Sequence, residues 1–553
     1  MPDCWEPKGS HGEIALARYV MIEENRVGHS EPGVTTSVEI PESISQVAPS
    51  TEQRFWLQLG IYLVSVVSVA ALYLPHAGIP FYGDDFEFRF DDPRPYILGA
   101  FGHVDLHRFR PIKASWCALN QYLFGEETFV LEAGQVAMHA ALGCAVFWFL
   151  RRWGLSLAGG LFGAVWFLTS PINVSAVLGG DTTDQVGSGL AGFLSFALAW
   201  QFSEECRQRR PGRTPRLSLA LGSLVALTIA LLFKENALAF AGIVPLVLGF
   251  QIWRCRRSHV PDATRRLLVF ILISLVITVA YFIYRNAARN SDPPISLGTG
   301  VYQFRIGGNI ILNELELLGA TVLPFSTADA YVALVHRNWL TLSAMGMGLL
   351  AWLSLLGVGL TVAKRWPEAV GFGVLAACAT VPVVFLNHVS ELYSYNLAPF
   401  FAAVVALALG ALVEGSRSPF RRTVTVICLA GVLSSDLVAV NRKASQLAVQ
   451  AHKAVVLLPQ VVDYARRLPP GGKLLLYDRH VRGALNYSEY FMSPFACIDE
   501  AGGWVKHLAK RPDITVDFVG EGALGPADVI LVPDTTAGEL QVRALPHDYS
   551  SLD

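Results

Sequence analysis

Charge is what this chain has least of. Asp, Glu, Lys and Arg make up only 16% of its 553 residues, where soluble proteins carry about a quarter. With 52% of residues hydrophobic and gathered in long runs, a soluble globular domain is excluded. Metal-ligand spacing is absent too: the eight cysteines form no Cys-x-x-Cys, which argues against a zinc site. A pairing of Cys117 with Cys497 stays open, because spacing alone cannot establish it. No nucleic-acid motif is present, and the net charge of -2 is neutral on that question. The first 54 residues lack a basic n-region joined to a short apolar core; polar, with Glu23, Glu24, Glu39 and several Ser and Pro, they read as a disordered cytoplasmic tail and not a signal peptide.

What the chain has in abundance is membrane-length apolar sequence. Runs near the roughly 20 residues that cross a hydrocarbon core begin at Phe55, Val130, Ser156, Gln185, Leu217, Ala237, Leu267, Trp339, Ala369, Asn396 and Thr423. The expected fold is an all-α polytopic membrane protein of about eleven such helices. Arg151-Arg152, the Arg207 to Arg216 loop, Arg254 to Arg266, Lys364-Arg365 and Arg417 to Arg422 fall on alternate connections, which the positive-inside rule makes cytoplasmic. The N-terminus is then cytoplasmic, and everything after Asn441 lies on the outer face.

A long outer segment, residues 76–131, follows the first run and carries Tyr82-Gly83-Asp84-Asp85. Glu87, Asp91 and Asp92 follow, then a basic stretch with His103, His107, Arg108, Arg110 and Lys113. Carboxylates beside a bilayer can take a proton from an attacking hydroxyl or hold a divalent cation, Mg or Mn, against a phosphate leaving group. Nearby Arg and Lys can bind that phosphate. The plain alternative is an acidic outer loop with a helix cap. Trp116, Leu119, Tyr122 and Leu123 recur at helical spacing, as in an amphipathic helix at the interface.

The ordered strings H-R-F-R-P-I-K-A-S-W-C-A-L-N-Q-Y-L-F-G, L-R-R-W-G and G-A-V-W-F-L-T-S-P-I-N-V-S-A-V resemble the membrane region of C-superfamily (GT-C) glycosyltransferases. The likeness is to the transmembrane-and-tetratricopeptide O-mannosyltransferases and their bacterial relatives. Leu232 to Asn236, L-F-K-E-N, and Ser390 to Pro399, S-E-L-Y-S-Y-N-L-A-P, resemble two later motifs of that family. The resemblance implies transfer of a sugar from a polyprenyl-phosphate donor to a glycan, lipid or protein acceptor on the non-cytoplasmic face, with Asp84 or Asp85 at the active site. It implies a bacterial inner membrane as the setting, because the roughly 34-residue period of tetratricopeptide repeats is missing. The chain departs from the family at Ser170, Asn173 and Ser175, where His, His and Glu are expected, and Asp184 fits the next acidic position only with a one-residue shift.

Other residues carry two readings. Lys234 and Glu235 are an internal pair that binds the carrier phosphate with Arg108 or Arg110, or a snorkelling Lys with a terminal Glu. Glu391, Tyr393 and Tyr395 contact donor or acceptor, or the tyrosines are aromatic anchors. Asp181 and Asp184 are accessory acids or helix caps. Gly187, Ser188, Ala191 and Gly192 have the spacing of close helix packing. Residues 306–325 are interrupted by Asn309, Asn313, Glu314 and Glu316 and read as a re-entrant or juxtamembrane helix. Beyond the last span, Lys473 to Asp478, Thr515 to Val519 and Ala527 to Pro533 read as strands, with a helix over Val505 to Lys510. The expected organisation is a tail (1–54), a membrane domain (55–441) and a small extracytoplasmic α/β domain (442–553). A transporter or flippase of lipid-linked saccharides, and a non-catalytic binding protein of the same fold, remain the rival readings.

Overall fold

The computed structural model describes residues 51–80, 90–102, 108–125, 127–208, 215–257, 261–288, 305–386, 390–414, 419–482, 495, 503–521, 527–534 and 541–544. Tyr82, Asp84, Asp85, Glu87, His103, His107 and Cys497 lie outside them. The chain divides into two compact units, residues 1–57 and 58–553.

The helices are α1 (Thr51–Tyr73), α2 (Arg94–Gly99), α3 (Pro111–Phe124), α4 (Thr128–Arg152), α5 (Leu157–Thr169), α6 (Val174–Leu178), α7 (Thr183–Arg207) and α8 (Leu217–Phe233). Then come α9 (Leu238–Arg257), α10 (Pro261–Ala287), α11 (Gly308–Val322), α12 (Thr327–Val335), α13 (Trp339–Ala363), α14 (Trp366–Val384), α15 (Ala398–Glu414), α16 (Pro419–Arg467) and α17 (Gly503–Ala509). Each expected membrane run coincides with one of these. Among the described residues five helices are long and apolar enough to cross a membrane, six if a bent pair counts as one span. Shorter apolar helices cover Tyr62–His76, Leu217–Phe233 and Ala398–Glu414. The chain is an integral, multi-pass membrane protein.

Apolar residues face outward as well as inward, as lipid demands. On α10, Leu268, Val269, Leu272, Ile273, Val276 and Ile283 are exposed while Leu267, Phe270 and Ser274 are buried. The centre of the bundle is built differently, with small residues that let backbones approach. A Cβ on Gly163 of α5 would sit 2.7 Å from the Ala402 carbonyl oxygen of α15, and one on Gly410 would sit 2.8 Å from Gly159 Cα. On α7, Gly187 and Gly192 accept the Phe233 and Phe240 rings, where an added Cβ would come within 2.6 and 2.2 Å. All of α15 from Ala398 to Gly410 except Phe401 is buried.

The bent pair breaks at Ser170-Pro171, where the path turns by 44°. Proline has no N–H to continue the ladder, and it disfavours helical backbone at the residue before it. Asn173 repairs the loss: its Nδ2 donates to the Phe167 carbonyl at 2.6 Å. Similarly, Asn313 of α11 donates from Nδ2 to the Val384 and Leu386 carbonyls, both at 2.8 Å. α11 thus takes up the last carbonyls of α14 while exposing Ile311, Leu312 and Leu315.

Helix α3 has two faces, but it divides the residues that the spacing groups on one face. Leu119, Tyr122, Leu123 and Phe124 are exposed. Trp116 turns inward against Gly134.

Helix α16 runs unbroken for 49 residues, about 73 Å at 1.5 Å per residue, and Asn441 lies inside it. Its far end underlies a four-stranded sheet of β1 (Lys473–Arg482), β2 (Thr515–Glu521), β3 (Val529–Asp534) and β4 (Gln541–Ala544), ordered β2-β1-β3-β4. β1 pairs in parallel with β2 and β3, and β3 pairs antiparallel with β4. The period of two is plain on β1: Leu474 and Leu476 pack with Leu457, Val461, Ala465 and Val505, while Leu475 and Tyr477 pack on the other face with Ile530. Arg511 clamps the connection, donating to the Leu468 and Pro469 carbonyls at 2.8 and 2.9 Å. Its guanidinium also holds the Asp513 carboxyl well below the usual carboxylate range.

Candidate functional site

Three chain breaks deliver charge to one buried spot. Arg110 precedes α3, where Pro111 takes the first helical position, which needs no N–H donor. Lys113 is one turn on, on the inward face. Asp184 sits in the first turn of α7, where the helix dipole favours a carboxylate. Lys234 leaves α8 in extended conformation, φ -157 and ψ 141, and Glu235 opens a 3₁₀ turn, Glu235–Ala237, that leads into α9. Extended backbone at Lys234 sends neighbouring side chains to different partners, so these two residues close a ring.

Asp184 is the hub. Arg110 Nη1 donates to its Oδ2 at 2.7 Å, Lys234 Nζ to its Oδ1 at 3.2 Å, and Lys113 Nζ lies 3.7 Å from Oδ2. Arg110 also forks onto Glu235, Nε to Oε2 at 3.0 Å and Nη2 to Oε1 at 2.5 Å. The Asp184 and Lys113 side chains are wholly buried, those of Arg110 and Lys234 nearly so, and that of Glu235 is 37% exposed. Unit charges about 4 Å apart interact by about 4 kcal/mol at an effective dielectric near 20, which offsets part of the cost of burying four of these five groups.

Amides fix the backbone around this ring. Asn236 Nδ2 donates to Gln185 Oε1 at 2.8 Å, and Gln185 Nε2 donates to Asn396 Oδ1 at 3.1 Å. Gln185 follows Asp184 and Asn236 follows Glu235, so the two carboxylates are held in register. Gln135 of α4 adds a bond to Thr183 Oγ1 at 2.7 Å.

Asn396 is the member of the motif at 390–399 that reaches the ring; the others make different contacts. Glu391 begins a 3₁₀ turn, Glu391–Asn396, and is buried in an ion pair with Lys443 of α16. It also accepts from Ser175 Oγ at 3.1 Å and from Thr327 Oγ1. Lys443 Nζ reaches the Pro171 carbonyl at 3.3 Å, so α16 is bolted to the proline bend. Tyr395 is fully buried, its hydroxyl 3.0 Å from His139 Nδ1. Tyr393 and Arg108 are half-buried. Asp181 belongs to the 3₁₀ turn Gly180–Thr182, and its side chain is outside the described residues.

The structure therefore joins Arg110, Asp184, Lys234 and Glu235, and sets Glu391 and Tyr395 in other internal contacts. Lys443 gained no role from sequence reading, and Lys113 only that of one cation in a basic stretch. Arg110 and Lys113 stand three apart, which places them on one helical face, a signal that was available. Lys443 looked like one more cation past a span. Among the described residues no group of three or more His, Cys, Asp or Glu could hold a metal ion, and Asp184 is already saturated by cations.

No family model matches the chain, and no curated protein matches it. Among solved structures, ArnT from Cupriavidus metallidurans bound to undecaprenyl phosphate is similar at 14% identity, over 88% of this chain and 94% of that one, with a TM-score of 0.45. Its apo form gives 15% identity, 85% and 86% coverage and 0.46. The oligosaccharyltransferase AglB from Archaeoglobus fulgidus, in complex with an inhibitory peptide and a dolichol-phosphate, gives 10%, 85%, 65% and 0.43. None of them assigns a role to a residue of this chain.

Proposed function

We propose that this chain is a membrane glycosyltransferase that moves a sugar from a polyprenyl-phosphate donor to an acceptor on the non-cytoplasmic face, in a bacterial inner membrane. The observation that carries this reading is the convergence of Arg110, Lys113 and Lys234 on one buried spot whose single exposed member is Glu235. Cations held at the ends of membrane helices suit a lipid phosphate, because the headgroup lies at that depth while its isoprenoid stays in the bilayer.

The eleven helices of membrane position act as spans, an odd number, and the sheet domain is extracytoplasmic. The His507–Asp91 contact, 3.4 Å from Nε2 to Oδ1, supports this arrangement by joining α17 to the outer segment. In the reaction an acceptor hydroxyl attacks the anomeric carbon and its proton passes to Asp84 or Asp85. The bond from that carbon to the phosphate oxygen breaks, and the phosphate keeps the electron pair beside Arg110 and Lys234. A Mg or Mn ion, if used, would be held by Asp84 and Asp85, since Asp184 and Glu235 are already met by cations.

The test uses protein reconstituted in liposomes with undecaprenyl phosphate charged with radiolabelled hexose or pentose. Asp84→Asn or Asp85→Asn should lower transfer by roughly 10² to 10⁴, as loss of a general base does, with an unchanged melting temperature, while Asp91→Asn should not. Near wild-type transfer by both first-pair variants would remove the mechanism.

A further inference from the structure

Arg110 offers two edges, and they meet different worlds. The Nη1 edge bonds to Asp184, which is sealed, and the Nε/Nη2 edge forks onto Glu235, which is 37% exposed. A guanidinium fork fits a carboxylate and a phosphate equally, by two parallel N–H···O bonds. The edge facing the open side is therefore one that a phosphate would use, and a carboxylate of the chain itself covers it. Glu235 sits in a 3₁₀ turn between α8 and α9, and its side chain can leave Arg110 by rotation about its own χ angles with the backbone in place.

We propose that Glu235 is a built-in stand-in for the donor phosphate, which it yields to on binding and displaces on release; this rests on the glycosyltransferase reading above. Before donor binds, Glu235 neutralises Arg110 and spares it from being a desolvated cation beside lipid. The incoming phosphate takes the Nε/Nη2 fork and Glu235 turns to the aqueous side. After sugar transfer the carrier phosphate is a monoester, and the return of Glu235 to Arg110 opposes its retention. Arg110 keeps its place throughout, because the Asp184 bond and the Gln185–Asn236 bond do not involve the Glu235 side chain.

Competition makes a prediction opposite to that of a ligand or a strut. Removing the stand-in's charge should tighten phosphate binding, whereas removing a binding or supporting group should weaken it. Purified full-length protein in nanodiscs would be titrated with undecaprenyl phosphate, with undecaprenol as the control lacking phosphate. Glu235→Gln should bind undecaprenyl phosphate roughly tenfold tighter and leave undecaprenol unchanged. Equal or weaker binding by folded Glu235→Gln, with wild type binding normally, overturns the stand-in and leaves the proposed function in place. Wild type that does not prefer undecaprenyl phosphate to undecaprenol overturns both. Should Glu235→Gln not fold, Glu235→Asp, which keeps the charge but shortens the reach to Arg110, should still bind more tightly than wild type, and weaker binding by it overturns the stand-in.

Discussion

Asp184 makes the case for reading buried charge as a set. Its carboxylate is shared by Arg110, Lys113 and Lys234 within 3.7 Å, and neutralising it leaves Arg110 with Glu235 but takes from Lys113 and Lys234 the carboxylate they share. Asp184→Asn should cost about 3–5 kcal/mol, the range for breaking a buried ion set, seen as a large fall in melting temperature in detergent. An unchanged melting temperature would mean the cluster is held by something else. Single residues of this ring stood out in sequence because intramembrane ions are costly and rare. Their pairing was not legible, since Arg110 finds Asp184 and Glu235 at separations of 74 and 125 positions. Tyr395 shows the reverse case: a tyrosine in a motif reads as a contact or an anchor, and only packing reveals that its hydroxyl meets His139 in the interior.

Helices were legible where lipid wrote the sequence. α10 and α13 announce themselves by unbroken apolar length, while α7, with buried Thr183, Asp184, Gln185, Ser188 and Ser195, is too polar to pass as a lipid-facing span and makes sense only inside the bundle. The length of α16 was not legible, because the sequence reading ends the membrane domain at Asn441 and only the structure sets Lys443 against Glu391 and Pro171. That bolt gives a distinctive mutational pattern. Lys443→Met alone strands a buried carboxylate and should destabilise by about 3–5 kcal/mol, whereas Lys443→Met with Glu391→Gln should recover most of the loss. Additive losses in a thermal-unfolding cycle would show that the two side chains do not act as a pair.

The proposed arrangement about the membrane rests on where the arginines lie and on one contact across the chain. Three strands of the sheet were visible in sequence through their apolar runs and β4 was not, and the sheet's order depends on parallel pairings between distant segments. The His507–Asp91 contact sets α17 beside residue 91, and the topology proposed above puts both on the outer face with the basic ends of α7 and α9 on the other. Cysteines placed at Asp92 and Lys506 in a cysteine-free background should react with an impermeant maleimide added to intact spheroplasts, and one at Arg256 should react only after permeabilisation. Labelling of the Arg256 position from outside would invert the topology.

The central claim is that the buried cations at the mouth of the bundle bind a lipid phosphate. Undecaprenyl phosphate binding to wild type and to Lys234→Met in nanodiscs tests it most directly, because Arg110 still holds Asp184 in that variant and the fold is retained. The account predicts that Lys234→Met loses at least about tenfold in affinity, the loss of one charge-assisted bond of roughly 1.5–3 kcal/mol, with undecaprenol binding unchanged. Undiminished binding of undecaprenyl phosphate by folded Lys234→Met would contradict it.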